Sequence, residues 1–379
     1  MFPIIEVEGS ARNRGRQHGQ QARDRIERSV ATYARLFAFC GIDWPGAQKL
    51  GAGYRDLIGD LDAELLEEIE GIAAGAGRHV NEILALNSRT EILPPTYPGQ
   101  PHPERQSISA CNVAGGIPDW GECTSIAIRP AMSTTGTTLL AQNWDWLGSQ
   151  RDALVLVRST ETDGSTCLTL TEAGMLAKIG VNSHGFGVCL NILRSVFDGG
   201  HAGIPVHVLL RALLKRSSVR DAIAFCSTLS FGGSSNILLA DRGGECASLE
   251  FSPEGMRVVR GEGGTLCHTN HFLHPEAAGW QARHVPNLST IPRLDRARQL
   301  AASRAKHGIE DVKRLLRDES AGLLSICRKP DASLPPEAQI ESVASVIMEL
   351  GRGVMHIAPD VPSRAEYQPV ALAGEAALA

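Results

Sequence analysis

The sequence predicts an α+β fold in which two antiparallel sheets pack face to face under a cover of helices. Three observations predict it. Residues 14–92 carry helical periodicity, the chain switches to strand alternation at Cys123, and no regular strand–helix–strand repeat marks a doubly wound parallel sheet. At 379 residues the chain is long enough for one large unit or two modules.

Within the helical part, residues 23–37 place Ile26, Val30, Tyr33 and Leu36 on one face, and residues 62–76 repeat the pattern before glycines that suit a helix stop. Between 93 and 121 the character changes to a loop, with five prolines in residues 94–105 and Gly115–Gly116 beyond. A structureless stretch of that length inside a compact domain usually signals function. Strand alternation begins at residues 123–129, where Ser125 and Ala127 are set against Ile126 and Ile128; a turn at 133–136 leads to a hairpin partner at 137–142. Further strands are expected at 153–158, 167–171, 186–191, 236–240, 247–251, 256–259, 342–349 and 353–358. Residues 205–215 read as a helix with Pro205 in its first turn, and helices are expected near 293–304 and 309–317. The alanine-rich tail after 368 is expected to fray.

Composition narrows the function classes. A net charge of -5 supplies no basic field for nucleic acid or an anionic membrane surface, so neither partner is expected. No apolar run approaches the length of a membrane span. The first residues lack the basic and apolar regions of a secretory signal. The nine cysteines are an odd, scattered set without a C-x-x-C pair, which argues against a zinc or dithiol site. Reduced thiols in a cytoplasmic protein are the expectation. His268, His271 and His274 cluster, but nothing acidic or thiol-bearing stands at ligand spacing, so neither metal nor cofactor is expected.

Cys123 is the first residue after the loop and the first of a strand. A thiol fixed at a strand edge, beneath a peptide that the loop can strain, suits an N-to-S acyl shift. Hydrolysis of the resulting thioester would free an α-amine of reference pKa about 7.7–8.0, near enough to neutrality to serve as the thiol's own general base. Position alone fits a small buried residue at a sheet edge better than a nucleophile.

The surrounding motifs resemble the isopenicillin N acyltransferase family of N-terminal-nucleophile hydrolases, relatives of penicillin V acylase and the bile salt hydrolases. In order they are residues 86–92 (LeuAsnSerArgThrGluIle), 121–125 (GlyGluCysThrSer), 141–146 (AlaGlnAsnTrpAspTrp), 171–191, 203–211, 269–272 (ThrAsnHisPhe) and 342–348. The resemblance implies a four-layer αββα N-terminal-nucleophile sandwich. It also implies residues 1–122 as a helical leader and loop and 123–379 as the catalytic body, the two fragments of a single structural unit after self-cleavage.

Carried over residue by residue, the resemblance implies Cys123 as nucleophile and Glu122–Cys123 as the scissile bond. Asp145 would orient the α-amine, and Asn236 would donate to the oxyanion, an interaction of about 2.7–4 kcal/mol. An arginine of the 289–298 segment belongs near the site: Arg293, with Arg296 and Arg298 competing. Glu172 and Ser289 are candidate substrate contacts, whereas Asn182 and Asn191 are read as turn residues. Gln142 replaces an arginine of the bile salt hydrolase branch, which favours the acyltransferase branch. The implied function is hydrolysis of linear amides in small N-acylated amino compounds through an acyl-cysteine. The alternatives are an N-acyltransferase dependent on a coenzyme A thioester and a non-catalytic binding protein on the same fold. A homo-oligomer of processed heterodimers is left open.

Overall fold

Two sheets stack between helical layers in this computed structural model, which describes residues 1–94, 123–199, 202–261, 263–283, 285 and 289–374. Glu122, Cys111 and nearly all of the proline-rich stretch lie outside the described residues.

The eight-stranded sheet runs, in spatial order, β1 (Ile4–Glu8), β4 (Leu154–Thr160), β5 (Thr166–Glu172), β6 (Ile179–Asn182), β7 (Phe186–Ile192), β8 (Ser235–Asp241), β9 (Cys246–Ser252) and β10 (Gly255–Val259). The six-stranded sheet runs β11 (Thr265–His268), β2 (Cys123–Ile128), β3 (Leu139–Leu147), β12 (Ile340–Glu349), β13 (Val354–Ala358) and β14 (Gln368–Ala371). Named neighbours pair antiparallel except β1 with β4, which are parallel. β1 precedes α1, so residues 1–94 supply an edge strand as well as helices.

Helices α1 (Ala11–Gln21), α2 (Arg23–Phe39), α3 (Trp44–Ala52), α4 (Arg55–Leu61), α5 (Ala63–Ala76), α6 (Val80–Asn87), α7 (Arg89–Ile92), α8 (Val206–Leu213) and α9 (Val219–Cys226) cover the larger sheet. Helices α10 (Thr290–Ala302) and α11 (Ile309–Leu316) cover the smaller one. The α–β–β–α layer order is therefore the expected one. Ile26, Val30, Tyr33 and Leu36 all face the core from α2, and Gly77 ends α5 in the left-handed region at φ 68°.

Helices α1 and α5 pack closely. Gly15 and Gly19 of α1 lie against Gly71 and Gly75 of α5, and a Cβ on Gly15 would stand 2.0 Å from the Glu68 carbonyl oxygen. Beside this contact the Glu68 carboxylate accepts from Arg14 and Arg211 at 3.3 and 3.2 Å.

Several short elements escape the sequence pattern: β1, β6, β11, β14 and α9. Of the tail expected to fray after 368, residues 369–371 instead belong to β14 (Gln368–Ala371), whose Pro369 is tolerated because the strand is at the sheet edge, and residues 375–379 lie outside the described residues.

Candidate active site

Cys123 opens β2, a strand paired with β3 on one side and β11 on the other. Alternation sends Ile126 and Ile128 into the core beneath α10 and α11. Ser125 points the opposite way, donating across the inter-sheet layer to Asn191 Oδ1 at 2.7 Å. Cys123 shares Ser125's parity and is 3% exposed. Burial pushes its thiol up, as does the nearby Asp145 charge; the Lys178 ammonium and hydrogen bonds from the Asp145 backbone and the Gln142 side chain act the other way.

Both peptide groups of Cys123 are gripped by side chains. Its N–H donates to Asn270 Oδ1 at 2.8 Å. Its carbonyl accepts from Asn191 Nδ2 at 3.0 Å and from Arg293 Nη1 at 2.8 Å. Arg293 rises from the first turn of α10 and also donates to Thr124 Oγ1, Asn270 Oδ1 and Ser289 Oγ, each at 2.9 Å. Burial pulls this guanidinium down to about 10, opposed by the charges of Asp145 and Cys123. Of the three competing arginines it is the one that reaches Cys123, since Arg296 is paired with Asp318 at 2.7 Å and Arg298 is exposed.

Asp145 lies on β3, fully buried. A register shift in β12 puts Ser342 opposite it, and Ser342 Oγ donates to Oδ1 at 2.6 Å. Oδ2 has no hydrogen-bond partner among the described residues. Burial raises this carboxyl to about 7, opposed by Arg293 and Ser342. Asn236 on β8 donates through Nδ2 to Asn191 Oδ1 at 3.1 Å, its cross-ladder partner. Asn236 thus stands one residue behind the Cys123 carbonyl, coupled to it through Asn191.

The two expected substrate contacts are occupied internally. Glu172, fully buried, accepts from the Tyr33 hydroxyl and from Arg89 at 3.2 Å. Ser289 holds Arg293 and is approached by Arg328 Nη1 at 3.4 Å. Ser289 acts on the site through Arg293.

Sequence reading missed three participants. Asn191 was expected to be a turn residue, but it lies inside β7 with its amide spanning the two sheets; the turn role belongs to Asn182, whose Oδ1 accepts from the His184 and Phe186 N–H groups at 3.1 Å each. Asn270 and Ser342 sat within quoted motifs without a role. The available signal was a polar side chain in an otherwise apolar strand or strand end. Gln142 proves to be an inter-sheet tie, donating to the Leu190 carbonyl at 2.6 Å and accepting from its N–H at 2.9 Å.

His268 is committed to Glu250 at 2.8 Å, and among the described residues no three His, Cys, Asp or Glu side chains group as a metal site. No described helix is long and apolar enough to cross a membrane.

A two-sheet sandwich between helical layers, with a buried polar cluster at the head of β2, is the α–β–β–α architecture that the motif resemblance implies. Residues 132–335 match the family model described as acyl-coenzyme A:6-aminopenicillanic acid acyl-transferase, and the chain belongs to that family. The match contains Asp145, Asn236, Asn270 and Arg293 and begins beyond Cys123. The chain is 28% identical to the "acyl-coenzyme A:6-aminopenicillanic-acid-acyltransferase 40 kDa form" of Emericella nidulans over 86% of its own length and 84% of the relative's. Among solved structures, a conjugated bile acid hydrolase from Clostridium perfringens has a TM-score of 0.46 at 12% identity, covering 65% of this chain and 96% of that one. Penicillin V acylase from Agrobacterium tumefaciens has a TM-score of 0.44 at 13% identity, covering 62% and 83%. Family membership makes the chain an enzyme of acyl transfer.

Proposed function

We propose that the chain is a self-processing cysteine hydrolase that cleaves linear amide bonds of small N-acylated amino compounds. Scission of Glu122–Cys123 frees the α-amine of Cys123. That amine takes the thiol proton as Sγ attacks the substrate carbonyl, and it returns the proton to the departing nitrogen as the C–N bond breaks. Water then resolves the acyl-cysteine thioester, releasing the acid and the free thiol. Asp145 orients the amine, while Arg293 and the amides of Asn191, Asn236 and Asn270 hold the peptide groups around the nucleophile and the oxyanion that forms on the substrate.

The observation that supports this reading best is the double grip on Cys123. Asn270 takes its N–H at 2.8 Å, and Arg293 with Asn191 takes its carbonyl. A purely structural cysteine needs no such clamp, whereas a nucleophile must be held to a fraction of an ångström.

Intact mass and N-terminal sequencing test it. Two fragments, residues 1–122 and 123–379, with the second beginning Cys-Thr-Ser, are expected, and Cys123→Ala should remain whole. An unbroken chain in active material would refute the reading. Family membership favours one second reading, an N-acyltransferase using a coenzyme A thioester. Amine release from N-acyl amino acids without any thioester supports the hydrolase; turnover only when a thioester is supplied supports the transferase.

A further inference from the structure

The inter-sheet layer holds one more charged group beside Cys123. Lys178, which leads into β6, is 3% exposed, and its Nζ lies over the indole of Trp144 at 4.0 Å from the ring centroid and 5.8 Å from that of Trp146. Trp144 is the cross-strand partner of Cys123, so the ammonium is lodged at the head of β2 on the nucleophile's side of the sheet.

A buried ammonium requires a counter-charge. Among the described residues Lys178 forms no ion pair within 4 Å. Glu172, the carboxylate that acts on it from β5, has given its oxygens to Tyr33 of α2 and Arg89 of α7. Arg89 repels it, and His207 from α8 is held neutral by burial. Indole faces supply part of the missing stabilisation. After Glu172, the remaining group whose negative form favours the Lys178 ammonium is Cys123, two steps away through the Trp144 indole.

We propose that Lys178 is a positioning residue for the nucleophile, its ammonium serving as the counter-ion that steadies Cys123 Sγ as a thiolate. This rests on the reading of Cys123 as the attacking group. The thiol proton passes to the α-amine, and Lys178 acts in its protonated form. The mutual effect runs as electrostatics requires: burial draws Lys178 down to about 7 while Cys123 opposes that shift, and Lys178 opposes the rise of the thiol. The other groups facing the sulfur are Asp145 from β3, which disfavours the thiolate, and Arg293 from α10, which favours it. Lys178 balances Asp145 from the opposite side of the strand.

The test is the pH profile of Cys123 alkylation by iodoacetamide, read by mass on the Cys123 peptide, in the full chain and in Lys178→Met and Lys178→Arg. The neutral variant should shift the midpoint upward by about one pH unit, slowing alkylation about tenfold below it. The charge-preserving variant should stay within about twofold of the parent. A Lys178→Met profile superimposed on the parent's overturns the proposal. Should that variant not fold, the reciprocal titration decides: in ¹⁵N-lysine spectra of Cys123→Ala, the Lys178 midpoint falls by about one unit if the sulfur is its partner and stays put if it is not. Failure of the nucleophile reading shows up separately, as an unbroken chain in active material.

Discussion

Asp145→Asn should stabilise the protein near neutral pH while abolishing its activity. In the folded chain the carboxyl is raised from 3.8 to about 7 because burial penalises its charge more than Arg293 and Ser342 reward it. Below pH about 4 the group is protonated in both states and contributes nothing. Between about 4 and 7 the unfolded chain has lost the proton that the folded chain keeps, so each rise in pH favours unfolding; above 7 the penalty is constant. At about 1.4 kcal/mol per pH unit, the interval from pH 5 to 7 corresponds to roughly 3 kcal/mol. The asparagine is neutral at every pH, and its amide oxygen can still accept from Ser342. Urea unfolding of Cys123→Ala and of Cys123→Ala/Asp145→Asn at pH 5, 6 and 7 compares chains that lack the Cys123 thiol and differ at this one site. The two stabilities should diverge as pH rises, with the asparagine form ahead at pH 7. Parallel curves, or divergence in the other direction, would refute the assignment of desolvation as the dominant effect. With Cys123 intact, the proposed orientation of the α-amine by Asp145 predicts that Asp145→Asn lowers kcat/KM by at least about 100-fold.

Replacing Gln142 with leucine removes both hydrogen bonds to the Leu190 main chain and leaves those buried groups unmet; about 2–4 kcal/mol of stability should be lost, read by denaturant midpoint. Asn270→Ala removes the acceptor of the Cys123 N–H and a partner of Arg293. It should lower amide turnover about 100-fold with a much smaller effect on melting temperature, and an unchanged turnover number would sink the role given to the clamp. Gly15→Ala sets a Cβ 2.0 Å from a carbonyl oxygen of α5, so helices α1 and α5 must part. A loss of more than about 3 kcal/mol is expected, measured by calorimetry, although this position is remote from Cys123.

Much of the frame was legible along the chain, because strand and helix periods are local properties. The alternation of Ser125 and Ala127 against Ile126 and Ile128 identified β2 and its two faces, and the face carrying Ser125 is the one turned to the other sheet. The helical face of Ile26, Val30, Tyr33 and Leu36 was equally plain. Asp145 and Gln142 were named through the family resemblance of the 141–146 motif. Which partners they find was not legible. Asn191, Asn270, Arg293 and Ser342 are separated by tens of residues and are brought to Cys123 and Asp145 by pairings and a β12 register shift that no local window contains. The short edge strands β1 and β14 escaped for the same reason: a few residues in extended form become a strand only when a neighbour supplies the ladder. The sequence by itself determined the layers, the nucleophile candidate and the kinds of side chain available to it. Only the tertiary structure decided which of them converge, because hydrogen-bond partnership and desolvation depend on distances set by the packing of the two sheets.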